Sequence, residues 1–130
     1  MIIRLPIKTV SEANRGGEHW TKKHARHKKQ KEAIRMGCTN RITPHMLPCT
    51  IKLTRIAPRF LDFDDNLPMA LKHIKDYVCD LLIPGKQMGR ADNDMRLRFA
   101  YDQIKGIPHE YAIQIEIIPL ESSIEFPNNF

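Results

Sequence analysis

Residues 49–85 read CTIKLTRIAPRFLDFDDNLPMALKHIKDYVCDLLIPG, and this stretch decides the fold class. Residues 49–56 alternate in the period-two pattern of a strand, and Pro58 ends it. From Asp64 to Leu82 the apolar positions Leu67, Leu71, Ile74, Val78 and Leu81 recur at steps of four, three, four and three. That is one stripe of an amphipathic helix. Pro68 is acceptable in the first turn, where its missing N–H has no helical partner. Pro84 and Gly85 stop the helix.

Working outward, residues 2–9 set Ile3, Leu5 and Ile7 against Arg4, Pro6 and Lys8, a strand with one polar face. Pro6 suggests an edge position or a bulge. Residues 11–17 form a loop, and Trp20 to Met36 form a proline-free helix with Thr21 as its cap. Gly37, Pro44 and Pro48 break the connector 37–48, and residues 83–95 are a polar loop. Leu97, Phe99 and Tyr101 share one face of a third strand. Tyr111, Ile113, Ile115 and Ile117 share one face of a fourth. Lys105–Gly106–Ile107–Pro108 reads as a hairpin turn between them. The expected order is β-α-β-α-β-β, one small α/β domain over residues 1–119 with a mixed sheet and two main helices. Residues 120–130 form a weakly patterned tail. Such an architecture fixes no function by itself.

With 130 residues, 42% hydrophobic and 28% charged, the composition suits one core of a soluble domain. No apolar run approaches the ~20 residues of a membrane helix. The N-terminus lacks a signal peptide's apolar region and cleavage site, so the cytoplasm is the expected location and no membrane partner is expected. The net charge of +6 and pI near 9.4 favour a polyanionic partner, most commonly nucleic acid. Cys38, Cys49 and Cys79 carry no CxxC spacing and read as free buried thiols. A zinc set drawn from His24, His27, Cys38, His45 and Cys49 matches no common structural pattern.

Three features carry chemistry. Asp62, Asp64, Asp65 and Asn66 crowd carboxylates that repel one another unless a cation offsets them. Hard divalent ions prefer such oxygen ligands. A solvated acidic helix cap is the plainer reading. The loop Gly89–Arg90–Ala91–Asp92–Asn93–Asp94 supplies a second pair, or simply a solvated turn. The intervening helix spans roughly 25 Å, so within one chain residues 83–91 must run back along it to reach Asp65. Nine extended residues cover about 30 Å, enough with little slack. The third feature is basic: Arg15, Lys22, Lys23, Arg26, Lys28, Lys29, Lys31 and Arg35, with His19, Trp20, His24 and His27 interleaved. Lysines and arginines contact phosphates, and Trp20 can stack on an unpaired base. On the second helix Asp65, Lys72 and Asp76 fall within about 40° of one another, away from the apolar stripe. Lys72 is then either an electrostatic aid to phosphate chemistry or half of a surface ion pair with Asp76.

The run Leu61–Asp62–Phe63–Asp64–Asp65–Asn66–Leu67, with Lys72, Lys75–Asp76 and then Gly89–Arg90–Ala91–Asp92–Asn93–Asp94, resembles the acidic signature of RusA-type Holliday-junction resolvases, phage members especially. Arg96 to Gln103 is similar to the strand that follows it there. Asn14–Arg15 and His19–Trp20 resemble the family's N-terminal loop. The likeness covers about residues 3–119. It implies a homodimer that nicks four-way DNA junctions symmetrically with Mg²⁺, for which Mn²⁺ is a plausible substitute. It also implies three essential aspartates. Asp65 and Asp92 match two of them. The third position falls on Phe63, flanked by Asp62 and Asp64, either of which can serve. Lys72 is the nearest match to the family lysine.

The resulting expectation is metal-assisted phosphodiester hydrolysis at Asp62 or Asp64, Asp65 and Asp92, assisted by Lys72. Asn14, Arg15, His19, Trp20, Lys22, Lys23, Arg26, Lys28, Lys29, Arg96 and Arg98 are expected to hold the DNA arms. One rival is a non-catalytic dimeric DNA-binding module. Another is a metal-dependent nuclease for forks, flaps or RNA. There is no glycine loop for a nucleotide cofactor and no serine-nucleophile motif.

Overall fold

A computed structural model describes residues 1–11, 18–64, 66–85 and 91–120, without the side chain of Asp92. Asn14, Arg15, Asp65, Gly89, Arg90 and the tail from 121 therefore lie outside the described residues. The elements are β1 (Ile2–Leu5), α1 (Trp20–Cys38), β2 (Cys49–Ala57), α2 (Asn66–Leu82), β3 (Leu97–Lys105) and β4 (Ala112–Pro119). Short 3₁₀ turns lie at Pro44–Met46 and Ala91–Asn93. This is the expected small α/β domain with a mixed four-stranded sheet.

The strand order is β1-β4-β2-β3. β2 pairs in parallel with β3, from Cys49↔Leu97 to Ala57↔Lys105. On its other side it pairs antiparallel with β4, from Cys49↔Pro119 to Ile56↔Ala112. The expected hairpin between β3 and β4 is therefore corrected: β2 lies between them. Residues 106–111 instead carry the chain across the end of β2, where Gly106 N donates to Ala57 O at 2.8 Å. The local turn survives, with Glu110 N bonded to Ile107 O and Ile107 N to the Glu110 carboxylate. The apolar central strand is satisfied along both edges, and that outweighs the adjacent pairing a short turn suggests.

Ile3, Ile51, Leu53, Ile113, Ile115 and Ile117 meet Leu67, Leu71, Ile74 and Val78 of α2 in one core. The α2 stripe is thus buried from Leu67 to Val78 as its spacing predicts, but at its end Leu82 is buried while Leu81 is only partly so, and the helix begins at Asn66 rather than Asp64. β1 stops at Leu5 instead of residue 9 because Pro6 offers no donor to the ladder. Beyond it Ile7 and Thr9 stay buried. The buried Arg55 donates from Nε to Thr9 Oγ1 at 2.8 Å and from Nη1 to Arg59 O at 2.7 Å, which ties this segment to β2.

α1 differs from its expected outline at both ends. His19, not Thr21, is the cap, its Nδ1 accepting from Thr21 N at 3.2 Å. Gly37 does not break the helix, which runs on to Cys38. A Cβ at Gly37 would overlap the end of the Leu5 side chain, which would have to turn aside for any larger residue. No described helix is long and apolar enough to cross a membrane.

Cys38, Cys49 and Cys79 are all free and buried. Burial pushes the Cys38 thiol up to about 11, only partly offset by Arg41. From its ordinary value near 9.0 up to that point, the unfolded chain has lost the proton and the folded one retains it, so stability falls as pH rises. Replacing Cys38 with alanine should flatten this alkaline decline between pH 9 and 11. Denaturant unfolding across that range should show the two proteins' stabilities changing relative to each other by up to roughly 3 kcal/mol.

Candidate metal and nucleic-acid site

The segment between β2 and α2 is clasped by a side chain. Gln103 of β3 accepts from Leu61 N at 2.8 Å and donates to Leu61 O at 2.7 Å, imitating a strand pair where the strand has ended. Asp62 follows at once. Its carbonyl accepts from Leu67 N at 2.8 Å and its Oδ1 from Asp64 N at 3.2 Å. This turn brings the Asp62 and Asp64 carboxylates to the mouth of α2. Both are exposed, and among the described residues neither is paired with a lysine or arginine. Carboxylate oxygens open to water are the kind of donor that Mg²⁺ takes. Among the described residues no three His, Cys, Asp or Glu side chains gather into a cation site, so the drawn zinc set does not assemble there.

On α2, Lys72 Nζ lies 3.5 Å from Asp76 Oδ2. Lys72 is exposed, but Asp76 is only 9% exposed and its Oδ1 has no hydrogen-bond partner. Helical spacing sets Asp76 on the face away from the apolar stripe, where a plain surface pair is one reading. The pair is half-buried instead, an exposed ammonium held by a buried carboxylate. The turn Ala91–Asn93 packs against α2, with Ala91 1% exposed.

The connection from α2 to β3 does not carry its acidic end back to the start of α2. Leu97 N donates to Asp94 O at 3.2 Å, which fixes Asp94 at the beginning of β3, whereas Leu61 is fixed at Gln103. Strand rise separates these two levels by about 20 Å. Asp94 is also engaged, holding Arg96 through two contacts of 2.9 Å. The pair raises the Arg96 pKa, first through the hydrogen bond and then through the neighbouring charge. Arg98 Nη1 is turned to the carbonyls of Met95 and Leu97.

The basic helix divides in the same way. Lys22, Lys23, Lys28 and Lys29 present charge along α1, and Trp20 is 70% exposed with His19 stacked on it at 5.9 Å. Arg26 is different: it grips Glu18 at 2.7 and 2.9 Å, with the two side chains 15% and 10% exposed. Its first duty is to hold the entry to α1. His27 belongs to the α1–α2 contact, 3.7 Å from the His73 ring centroid to centroid. Sequence reasoning misses two things. One is the burial of Asp76. The other is Lys8, which is distant in sequence from the basic run but folded against it. In the sequence Lys8 reads only as part of a strand's polar face.

No model of a known protein family matches the chain, and no curated protein is significantly similar to it.

Glu18→Gln should leave the Arg26 guanidinium with a weaker, uncharged partner. A loss of roughly 1–3 kcal/mol in unfolding free energy is expected, whereas Glu32→Gln, in an exposed pair with Arg35, should cost under about 0.5 kcal/mol.

Proposed function

We propose that this chain is a Mg²⁺-dependent, structure-selective DNA endonuclease that resolves four-way junctions as a homodimer, in the manner of the RusA-type resolvases it resembles. The observation that carries the proposal is the pair of open, cation-free carboxylates Asp62 and Asp64 at the start of α2. They persist in a protein whose net charge is +6, where positive partners are plentiful. Asp65 adjoins them in sequence. The amino end of α2 adds a favourable dipole that offsets part of their mutual repulsion.

Ligands of one Mg²⁺ stand about 2.1 Å from it. Asp92 is two residues from Asp94, a reach of at most ~7 Å, against the ~20 Å between the two anchor levels. Asp94 and the Asp62–Asp64 turn are thus anchored at opposite ends of β3, and we read that separation as leaving Asp92 to a second protomer's cluster. A twofold dimer answers this by exchange, Asp92 of one protomer completing the cluster of the other. The same symmetry gives two sites, which paired nicking of a junction requires.

Mg²⁺, if held there, would supply Lewis acidity toward the phosphodiester and lower the pKa of a water at the site. Asp65, one of Asp62 or Asp64, and Asp92 of the second protomer would provide the oxygen ligands. The Lys72 ammonium, held beside Asp76, offers positive charge to the phosphate as negative charge grows on it. Lys23 and Lys28 of α1 bind the arms through phosphates, an attraction that weakens steeply with added salt.

On a labelled synthetic four-way junction, symmetric paired nicks are expected with Mg²⁺ and none with EDTA. Asp65→Asn should lower the cleavage rate by at least about a hundredfold while junction binding stays within about threefold. Tight binding without cleavage under any divalent ion would reduce the protein to a DNA-binding module.

A further inference from the structure

A groove of about 550 Å³ runs between α1 and the segment that follows β1. Its α1 wall presents Lys22, Ala25, Arg26 and Lys29, and its other wall presents Pro6, Ile7, Lys8 and Val10. The second wall is firmly built. Ile7 is 4% exposed and Thr9 is 2% exposed. Arg55 holds Thr9 from beneath, and the buried Gln30 of α1 donates across the floor to Lys8 O at 3.4 Å.

The charges in this groove are not alike. Arg26 is spent on Glu18. Lys8, Lys22 and Lys29 are exposed, and none has a carboxylate partner among the described residues. Lys8 Nζ sits 4.7 Å above the Tyr111 ring, an arrangement that orients it without neutralising it. Among the described residues no carboxylate lines the groove. Three uncompensated ammonium groups thus rim a recess whose lining also includes proline, isoleucine, valine and alanine.

That mixture selects a ligand that is anionic at one end and flat and apolar at the other. The volume lies in the ~300–1,000 Å³ range of pockets that enclose a small ligand. It exceeds what a bare phosphate needs. A duplex, with its phosphates flanking a major groove about 12 Å wide, cannot enter it. We infer that this groove takes one unpaired nucleotide of the DNA, its base against Pro6, Ile7, Val10 and Ala25 and its phosphate between Lys8, Lys22 and Lys29. The inference rests on the reading of the chain as a DNA-binding protein. It deepens that reading, since an unpaired nucleotide is what a branch point has and a continuous duplex lacks.

The test is binding alone, in EDTA, so it stands apart from cleavage. Fluorescence anisotropy would compare a labelled thymidylate oligomer of about ten nucleotides, near the site size of a single-strand-binding domain, with a blunt duplex of equal length. The proteins are wild type, Lys8→Ala/Lys29→Ala, Ala25→Trp and, as a remote charge control, Lys105→Ala. Ala25→Trp fills the groove at an exposed helix position without changing charge. Both groove variants should weaken single-strand binding by about tenfold or more. Their duplex affinity should stay within about threefold of the Lys105→Ala protein. Amide NMR shifts at Val10 and Gln30 should respond to the dinucleotide d(TpT) and not to inorganic phosphate at equal concentration. Equal losses on duplex and single strand would overturn the inference. So would an unaffected Ala25→Trp, an equal response to phosphate, or equal binding of a glutamate-rich peptide. If the junction is never cut but these differences appear, the nuclease reading fails and the groove stands. If the junction is cut and they are absent, the groove alone fails.

Discussion

The parallel pairing of β2 with β3 is the constraint on which the rest of the structure depends. Parallel neighbours cannot be joined by a tight turn, so the chain needs a crossover from one end of the sheet to the other. α2 is that crossover, and its apolar stripe closes the core on the way. The segment carrying Asp62 and Asp64 is left at one end of β3, clasped by Gln103. The segment carrying Asp94 is left at the other, bonded to Leu97. Carboxylates that look like two parts of one motif are separated by the hydrogen-bonding pattern of the sheet. The proposed homodimer would reunite them.

The fold also sorts charges that look equivalent along the chain. Arg26, Arg35 and Arg96 are each taken up by a nearby carboxylate. Lys72 is tied to a carboxylate that is itself buried and half satisfied. Lys8, Lys22 and Lys29 are left over on one groove. Asp62 and Asp64 are left over at one helix mouth. Ion pairs between exposed groups contribute little stability, so what matters is which charges they withdraw from solvent and from ligands. Among the described residues these charges have no partner of opposite sign, and the proposed function assigns them to a polyanion and a cation.

Much of this is legible in the sequence because local periodicity records burial. The four-and-three spacing from Leu67 to Leu81 names the face of α2 that meets the sheet, and Ile113, Ile115 and Ile117 name the inner face of β4. Pairing order is not legible. A short turn at 105–108 looks the same whether the strands on either side of it join each other or flank a third. The His19 cap escapes a sequence reading because an imidazole acceptor is an unusual substitute for a hydroxyl or carboxylate. Asp76 looks like a surface residue because helical spacing gives the angle from the core and says nothing of what folds over the far side. Arg26 and Arg96 fall among the DNA-binding cations in sequence because a one-dimensional charge run does not reveal which members have partners.

The proposed exchange of Asp92 between protomers is tested most directly with a mixed dimer of one Asp65→Asn chain and one Asp92→Asn chain, co-expressed with different tags and purified as the heterodimer. If the aspartates meet across the dimer, one site loses both carboxylates and the other keeps both. The mixed dimer should then nick one strand of a junction with Mg²⁺, although neither parent homodimer cuts. A mixed dimer as inactive as its parents would contradict the exchange and require each chain to build its site alone.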